Sequence, residues 1–302
     1  MNLIFIKAIV LMAVIVEKCN ESVETIISTQ HTEFKMARDM GAIQNREIDE
    51  ASGIIVSRNN PGLLWVHNDS GDEPRLFLID STGAHKGIFH INSTTNRDWE
   101  DIAIGPGPEE GINYIYIGDI GDNSMSHGIY HIYRFPEPDL HISFPVELYI
   151  DQVETISFFY PDEKKDAESL MIDPHTKDLY IVSKNEAAVN VYLVPYPQST
   201  TEVITLHHLG VIDIQQAVAG DISAEGKEVL IKTYSDIYYW NKQGEESIPE
   251  TLKKVPKRIS YQSEPQGEAV AWKVDGSGYF TLTEKVGEEI PHLYFYERIA
   301  KK

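Results

Sequence analysis

A unit of short strands recurs along this chain, and it restricts the possible folds more than any other feature. The first copy begins with ASGIIVSR (51–58) and continues through LLWVHND, RLFLIDS and KGIFHI. Apolar β-branched and aromatic residues fill these segments, and Asp, Gly, Asn and Pro separate them, as in antiparallel strands joined by turns. Segments such as Leu179-Tyr180-Ile181-Val182 are too short for helices. The sequence therefore predicts an all-β protein built from repeated small sheets.

Further copies begin near residues 98, 166, 218 and 266, with DWEDIAIG, DAESLMID, VAGDISAEG and QGEAVAWKVDG. We assign VELYI (146–150) as the last strand of the second copy and VITLHHL as that of the third. Four strands that recur about every 50 residues are typical of a β-propeller blade. We predict one propeller of five four-stranded antiparallel blades. The long stretch 136–163 leaves a sixth blade as the alternative.

The last copy contains three strands, so its blade lacks a fourth. A blade that is one strand short exposes an edge, and exposed edges promote aggregation. The segment 33–41 precedes the first copy and has no other place in the repeat. We therefore predict that an N-terminal strand closes the ring by pairing with the strand that contains Leu293-Tyr294-Phe295-Tyr296. The propeller is predicted to be one domain, residues 20–302.

The beginning of the chain has the pattern of a secretory signal. The apolar run Ala8–Val16 follows Lys7. It is too short for a membrane span, which needs about 20 residues. We predict a signal peptide at 1–19 and a secreted, extracellular protein without a membrane span. Cys19 is the only cysteine, so the mature chain is predicted to lack disulfides.

Three N-x-[ST] sequons occur in the sequence, at Asn20, Asn68 and Asn92. Asn92 lies in the turn-like stretch NSTTN and is the predicted glycosylation site. Asn68 lies inside a candidate metal-binding turn, and Asn20 is close to the predicted new N-terminus.

The charge is strongly acidic: 47 Asp and Glu residues face 26 Lys and Arg residues, a formal net charge of −21. Such a surface repels nucleic acid and anionic membranes and attracts cations, Ca²⁺ above all outside the cell. We expect a monomer whose partners are cations, a mineral surface or a component of the extracellular matrix. The alternative is that the charge serves solubility alone.

Polar residues occupy the first strand of every copy, which in a propeller lines the central channel. Carboxylates that converge there repel one another unless a cation offsets their charge, and Ca²⁺ accepts six to eight oxygen ligands. These positions therefore predict a channel Ca²⁺ site. The alternative is that each carboxylate binds backbone N–H groups of the next blade. The residues are Ser52, Glu100, Asp101, Glu168, Asp221 and Glu268.

A second candidate metal site lies in two turns that share the pattern D-x-G-D, because glycine permits a tight turn that brings two carboxylates together. The first turn supplies Asp69 and Asp72, and the second supplies Asp119 and Asp122. Asp and Gly are also common in ordinary β-turns, which is the alternative.

Basic residues at similar places in the repeat are candidates for anion binding beside a metal: Lys184, Lys232 and Lys285, together with Arg75. The alternative is that they are surface charges paired with nearby acids.

The repeat resembles the propellers of the phytase-like superfamily, including the SdiA-regulated and esterase-like phytase families. The resemblance lies in Asp98-Trp99-Glu100-Asp101, in Asp166-Ala167-Glu168-Ser169-Leu170 with the following DLYIV, and in Gln266-Gly267-Glu268-Ala269-Val270. It covers nearly the whole mature chain, and its motifs define blades more than a reaction. In the calcium-dependent phytases, channel carboxylates bind Ca²⁺. The resemblance therefore implies ring positions for Glu100, Glu168 and Glu268.

Signatures of several enzyme classes are missing, including H-E-x-x-H, G-x-S-x-G and the P-loop pattern. The first hypothesis is therefore a secreted, calcium-associated propeller that acts as a binding or matrix protein, including a biomineral matrix. The second is a calcium-dependent hydrolase of phosphoesters or lactones with its site in the channel.

Overall fold

Five small sheets form a ring in the computed structural model, which describes residues 33–185 and 187–300. The predicted signal peptide, Cys19 and Asn20 lie outside these residues. The predicted five-bladed propeller is confirmed. Strand β1 (Arg38–Ala42) precedes blade 1, which contains β2 (Ala51–Val56), β3 (Leu63–Asn68), β4 (Arg75–Asp80) and β5 (His85–Ile91).

The next two blades follow the same order from their first strand outward. Blade 2 contains β6 (Trp99–Pro106), β7 (Asn113–Asp119), β8 (Tyr130–Pro136) and, after an intervening β9 (Val146–Ile150), β10 (Glu154–Phe159). Blade 3 contains β11 (Ala167–Ile172), β12 (Leu179–Ser183), β13 (Val189–Val194) and, after the short β14 (Ile204–Thr205), β15 (His207–Ile212).

The last two blades complete the ring. Blade 4 contains β16 (Ala217–Ile222), β17 (Glu228–Thr233), β18 (Ile237–Asn241) and, after helix α1 (Ile248–Leu252), β19 (Lys257–Ile259). Blade 5 contains β20 (Gly267–Trp272), β21 (Gly278–Thr283), β22 (His292–Glu297) and β1. The first strands β2, β6, β11, β16 and β20 each contact the first strands of both neighbouring blades and form the inner wall.

The stretch 136–163 contains two strands and no sixth blade. VELYI, assigned from sequence to the second copy, is β9 and pairs in parallel with β5 of blade 1. The last full strand of blade 2 is β10, which pairs with β8. In the same way β14 pairs in parallel with β10. The sequence assignment was wrong here because these segments pair with the outer strands β5 and β10 of the preceding blades, which covers the edges of those two strands.

Blade 5 is closed by both ends of the described chain, as predicted. Strand β1 pairs antiparallel with β22, with Arg38 opposite Phe295 and Asp39 opposite Tyr294. Further upstream, Phe34 forms a bridge with Arg298.

The hydrophobic core is divided into five clusters, and each lies between two neighbouring blades. Phe34 is fully buried in the cluster between blades 4 and 5, with its ring 4.9 Å from that of Tyr279 and 5.8 Å from that of Trp272. The residues before β1 therefore fasten the closing strand to the core. In the described part of the chain, no helix has the length and apolarity needed to cross a bilayer.

We expect Phe34→Ala to lower the free energy of unfolding by about 3–5 kcal/mol, the usual cost of removing a buried aromatic side chain. Met36→Ala is the matched control, because Met36 is 67% exposed in the same segment. Chemical denaturation of both variants checks this. Similar small losses in the two variants would show that the segment does not hold the ring closed.

Candidate metal centre in the channel

Every inner strand is irregularly paired near its beginning, at the same place in each blade. Pairing with the second strand passes from Ala51 to Gly53 in β2 and from Trp99 to Asp101 in β6, and the other three inner strands repeat this shift. Such a β-bulge leaves one residue out of the ladder and bends the strand. The residues left out are all buried: Ser52, Glu100, Glu168, Val218 and Glu268.

Three of these residues bring carboxylates together. One oxygen each from Glu100, Glu168 and Glu268 lies within 4.8 Å of the other two. Glu168 Oε1 pairs with the Lys184 ammonium, whereas its buried Oε2 has no hydrogen-bond partner among the described residues. Glu268 accepts a 2.5 Å hydrogen bond from the Tyr234 hydroxyl. We call Glu100, Glu168 and Glu268 the inner trio.

The pKa values of Glu100 and Glu168 are raised, because these carboxyl groups are crowded together and desolvated. Burial and then the neighbouring Glu168 raise the pKa of Glu100 well above its usual range. Burial also raises the pKa of Glu168, although the Lys184 ammonium opposes this shift. These carboxyl groups lack enough positive charge to ionise as they would in water.

A second set of carboxylates adjoins the first and is more open to solvent. Oxygens of Asp69, Asp98 and Glu100 also lie within 4.8 Å of one another, and Asp69 and Asp98 are half-buried. Burial raises the pKa of Asp69 to about 7. A Cβ atom at Gly121 would overlap a carboxylate oxygen of Glu100 and one of Asp98, so glycine makes room for both groups. We call Asp69, Asp98 and Glu100 the outer trio.

The residues that directly follow the second strand of each blade are Asp69, Ile120, Lys184, Tyr234 and Glu284. Burial, then the nearby Glu268 and Asp69, raise the pKa of Glu284 to about 8. Lys184 offsets part of the cluster's negative charge, and its ammonium lies 5.4 Å from the centre of the Tyr234 ring. Acids, one ammonium and a phenol thus meet at one end of the channel.

Two predicted metal ligands of the ring, Asp101 and Asp221, instead follow the alternative interpretation, in which a carboxylate binds backbone N–H groups of another blade. Asp101 Oδ2 accepts the N–H groups of Leu170 in blade 3 at 2.9 Å and of Gly220 in blade 4 at 3.0 Å. Asp221 Oδ2 accepts the N–H of Trp272 in blade 5 at 2.7 Å. These two carboxylates therefore bind the backbones of other blades. Asp101 follows the residue that the bulge leaves out of β6, which is Glu100, and in β16 the bulge leaves out Val218, not Asp221.

Of the four aspartates in the two D-x-G-D turns, only Asp69 belongs to one of the two trios. Asp72 pairs with Arg75 at 2.7 Å. Asp119 accepts the Asp98 N–H at 2.8 Å. Asp122 accepts the N–H groups of Ser126 and His127 and the Tyr130 hydroxyl. The structure gives Asp72, Asp119 and Asp122 protein partners, as expected of ordinary turn residues.

Of the three predicted anion-binding lysines, only Lys184 forms an ion pair with a carboxylate of the inner trio. Lys232 is fully buried and donates to the Gly267 and Thr233 carbonyls, and burial lowers its pKa to about 8. Lys285 is exposed, and its N–H donates to the Asp49 carbonyl. The structural counterpart of Lys184 in blade 5 is Glu284, one residue earlier.

Sequence reasoning missed Asp98 and Glu284 as site residues. Glu284 was detectable, since aligning Ser183-Lys184 with Thr283-Glu284 places it beside the metal candidates. Asp98 precedes a first strand, and the residue at this place in the repeat is acidic in some copies but not in all of them.

The sequons differ in their surroundings. Asn92 is half-buried and donates to Asp151 at 2.6 Å. Asn68 is buried and donates to the Glu47 carbonyl at 2.7 Å, so a glycan there is incompatible with this packing. Glycosylation of Asn92 stays a prediction.

Comparisons with known proteins add little to this geometry. No protein-family model matches the chain, and no curated protein matches it. Among solved structures, a nidogen/laminin complex is similar with 11% sequence identity, 80% of this chain and 74% of that chain covered, and a TM-score of 0.46. At this level the match carries no argument, so the propeller assignment rests on the sheet topology. The phytase-like resemblance stays a prediction.

We expect the metal-free protein to lose stability as the pH rises from about 5 to 8. A carboxyl whose pKa is raised on folding keeps its proton longer in the folded state, so its contribution falls between the unfolded pKa, about 4, and the folded value. Asp69 at about 7 and Glu284 at about 8 define the upper end of this range.

Thermal unfolding in chelator across this pH range checks the prediction. Glu284→Gln should show a shallower fall, whereas the exposed control Glu288→Gln should follow the wild type. Stability that is constant or rises with pH in the wild type would contradict the account.

Proposed function

We propose that this protein is a secreted, acidic propeller that binds divalent cations, Ca²⁺ above all, at one end of its channel. The observation that carries the proposal is the inner trio, whose three buried carboxylates converge within 4.8 Å while Glu168 Oε2 has no hydrogen-bond partner among the described residues. Buried charges are normally paired or bound to metals, since an unpaired one is costly. Lys184 supplies one ammonium to this group, and a divalent cation supplies the remaining compensation.

The donor atoms favour calcium over other metals. Both trios consist of carboxylates, and oxygen ligands suit hard cations. Mg²⁺ requires near-ideal octahedral geometry at short distances, whereas Ca²⁺ accepts six to eight oxygens in looser arrangements. Carboxylates from three separate blades, Glu100, Glu168 and Glu268, form a loose arrangement of this kind.

The outer trio is the basis for proposing a second cation, which would be accessible to solvent. It shares Glu100 with the inner trio, so this carboxylate is placed to bridge two ions. Asp69 and Asp98 are half-buried, and an ion held there would keep coordination positions for an external ligand. We propose that anionic groups of an extracellular matrix component or of a mineral surface take these positions, with Lys184 beside them.

A calcium-dependent hydrolase of phosphoesters or lactones is the second candidate. The shared Glu100 favours it, because two ions bridged by one carboxylate are the arrangement that many phosphoryl-transfer enzymes use. The binding role remains first, because the sequence lacks the signature motifs of several hydrolase classes, such as H-E-x-x-H and G-x-S-x-G.

Calcium should stabilise the folded protein, and the gain should depend on the trios. A ligand that binds only the folded state at a hundredfold excess over its Kd adds about 2.7 kcal/mol. Glu100→Gln should remove most of this gain, because Glu100 belongs to both trios. Asp122→Asn, which changes an acid with protein partners outside the trios, should keep the gain.

Thermal unfolding with calcium or chelator measures all three proteins. Equal gains in wild type and Glu100→Gln, or no gain in either, would reject the channel site. Loss of the gain in Asp122→Asn alone would move the site to the D-x-G-D turn.

The hydrolase candidate has its own test. Calcium-loaded protein should turn over p-nitrophenyl phosphate or a δ-lactone, chelator should abolish the turnover, and Glu100→Gln should lack it while remaining folded. Calcium binding without turnover would reject the hydrolase for these substrate classes and leave the binding role.

A further inference from the structure

The outer edges of the five blades differ in their protection against pairing with another chain. An edge strand exposes unpaired N–H and C=O groups, and proteins limit this exposure by short strands, charged residues or bulges. Strand β14 has two residues, and β19 has three, of which two are Lys257 and Arg258. The pairings of β15 and β1 contain bulges. Strand β9, the outer edge of blade 1, instead has five residues, a regular pairing and one charged residue, Glu147.

The backbone of β9 has groups that are free to pair with a further strand. In a parallel ladder, alternate residues direct their peptide groups to the partner strand, and the residues between them direct theirs away. The Asn92 N–H donates to the Ile150 carbonyl at 2.9 Å, so Ile150 faces β5. The N–H groups of Glu147 and Tyr149 therefore point to the open side of β9. Among the described residues, neither N–H has a backbone partner outside the β5–β9 ladder.

One face of β9 offers apolar surface that an added strand would bury. Val146 and Ile150 pack against the core cluster between blades 1 and 2. Side chains alternate between the two faces of a strand, so Leu148 lies on this same face. Leu148 is 37% exposed. An apolar residue placed beside it would extend the core cluster to the rim of blade 1.

Acidic groups lie on the other face of this edge. Glu147 Oε1 is 2.9 Å from His90 Nε2, and a Glu73 oxygen is 3.9 Å from Nδ1 of the same ring. The Tyr149 ring stacks on His90, with the ring centres 4.7 Å apart. Glu73, Glu147, Tyr149 and the following Asp151 are all exposed. A strand added here gains from cationic side chains on this face.

The segment before β9 carries the opposite charge. Arg46 and Lys86 line a pocket whose walls also include Phe144 and Pro145, the residues that precede the strand. Lys86 pairs with Asp80 at 2.9 Å. Antiparallel pairing is slightly more stable per residue than parallel pairing, and it places the N-terminal half of an added strand beside the end of β9. The cationic residues of a partner are therefore expected in its N-terminal half.

We infer that β9 binds an extended segment of another protein as an added strand, with apolar residues of that segment beside Leu148 and Lys or Arg residues on the face of Glu147. The net charge of −21 acts in the same direction, because it attracts basic chains and repels a second copy of this protein. In strand addition, main-chain hydrogen bonds supply affinity and alternate side chains supply specificity. The inference is independent of the proposed calcium site, which lies in the channel.

Two blocked peptides test the inference: Lys-Val-Lys-Val-Thr-Val-Thr and its counterpart with Glu in place of Lys. Fluorescence anisotropy with the full, unglycosylated chain in chelator keeps channel cations and glycans out of the measurement. We expect the Lys peptide to bind, and added salt to weaken its binding. The Glu peptide should bind at least about tenfold more weakly.

Substitutions of Tyr149 separate main-chain pairing from side-chain contact. Tyr149→Pro removes an N–H that points away from β5, so the β5–β9 ladder keeps its hydrogen bonds. Tyr149→Ala removes the same ring and retains the N–H. We expect the Lys peptide to bind Tyr149→Pro at least about fivefold more weakly than Tyr149→Ala, because the added strand loses a hydrogen bond and meets the proline ring.

A charge-reversal pair tests the acidic face. Glu147→Lys should weaken binding of the Lys peptide about fivefold, because an exposed attraction becomes a repulsion. Glu245→Lys is the matched control, since Glu245 is exposed in the turn after β18 of blade 4 and its reversal changes the net charge equally. This control should bind the peptide as the wild type does. The pair decides the matter if Tyr149→Pro does not fold.

Equal affinity for the two peptides, no binding of either, or equal effects within both variant pairs would overturn the inference. A wild-type dimer that Tyr149→Pro converts to a monomer, seen by light scattering, would overturn it as well, because a second copy would then occupy the edge. Calcium-dependent stabilisation of Tyr149→Pro and Glu147→Lys, measured by thermal unfolding, reports on the channel site separately. Failure of one site is thus distinguishable from failure of the other.

Discussion

A β-bulge repeated in all five inner strands is the constraint on which the channel depends. It removes one residue per blade from the ladder at a matching position: Ser52, Glu100, Glu168, Val218 and Glu268. Every blade therefore has one equivalent side-chain position facing the others. The residue types at these five positions determine the chemistry of the site. Three glutamates there concentrate charge that the fold alone does not neutralise.

The acidic residues of the inner strands divide into two groups with different physical roles. Asp101 and Asp221 accept backbone N–H groups from other blades and so join blade 2 to blades 3 and 4, and blade 4 to blade 5. Within 33–185 and 187–300, no such backbone N–H partner is seen for the carboxylates of the inner trio; Glu168 instead contacts the Lys184 ammonium, and Glu268 contacts the Tyr234 hydroxyl. Closure of the ring and the proposed binding of a cation are thus assigned to neighbouring residues, Asp101 and Glu100.

The sequence predicted the number of blades, their closure by an N-terminal strand and three ring positions, because local alternation and turn residues repeat visibly. It did not predict that VELYI joins blade 1, since a parallel pairing between distant segments leaves no local pattern. It placed Asp221 at the ring, whereas the residue left out of the ladder in β16 is Val218, three residues earlier, because a bulge leaves no signature in the residue types from which the copies can be aligned. A misalignment of one residue likewise selected Lys285 where the structure has Glu284.

The central claim is that the inner trio holds a divalent cation, and anomalous diffraction from crystals grown with Ca²⁺ and soaked with Tb³⁺ tests it most directly. The account predicts an anomalous peak between Glu100, Glu168 and Glu268, with carboxylate oxygens about 2.3–2.6 Å from the ion, the distance usual for calcium. A trio without a peak, with its carboxylates joined by shared protons or by Lys184 alone, would contradict the account.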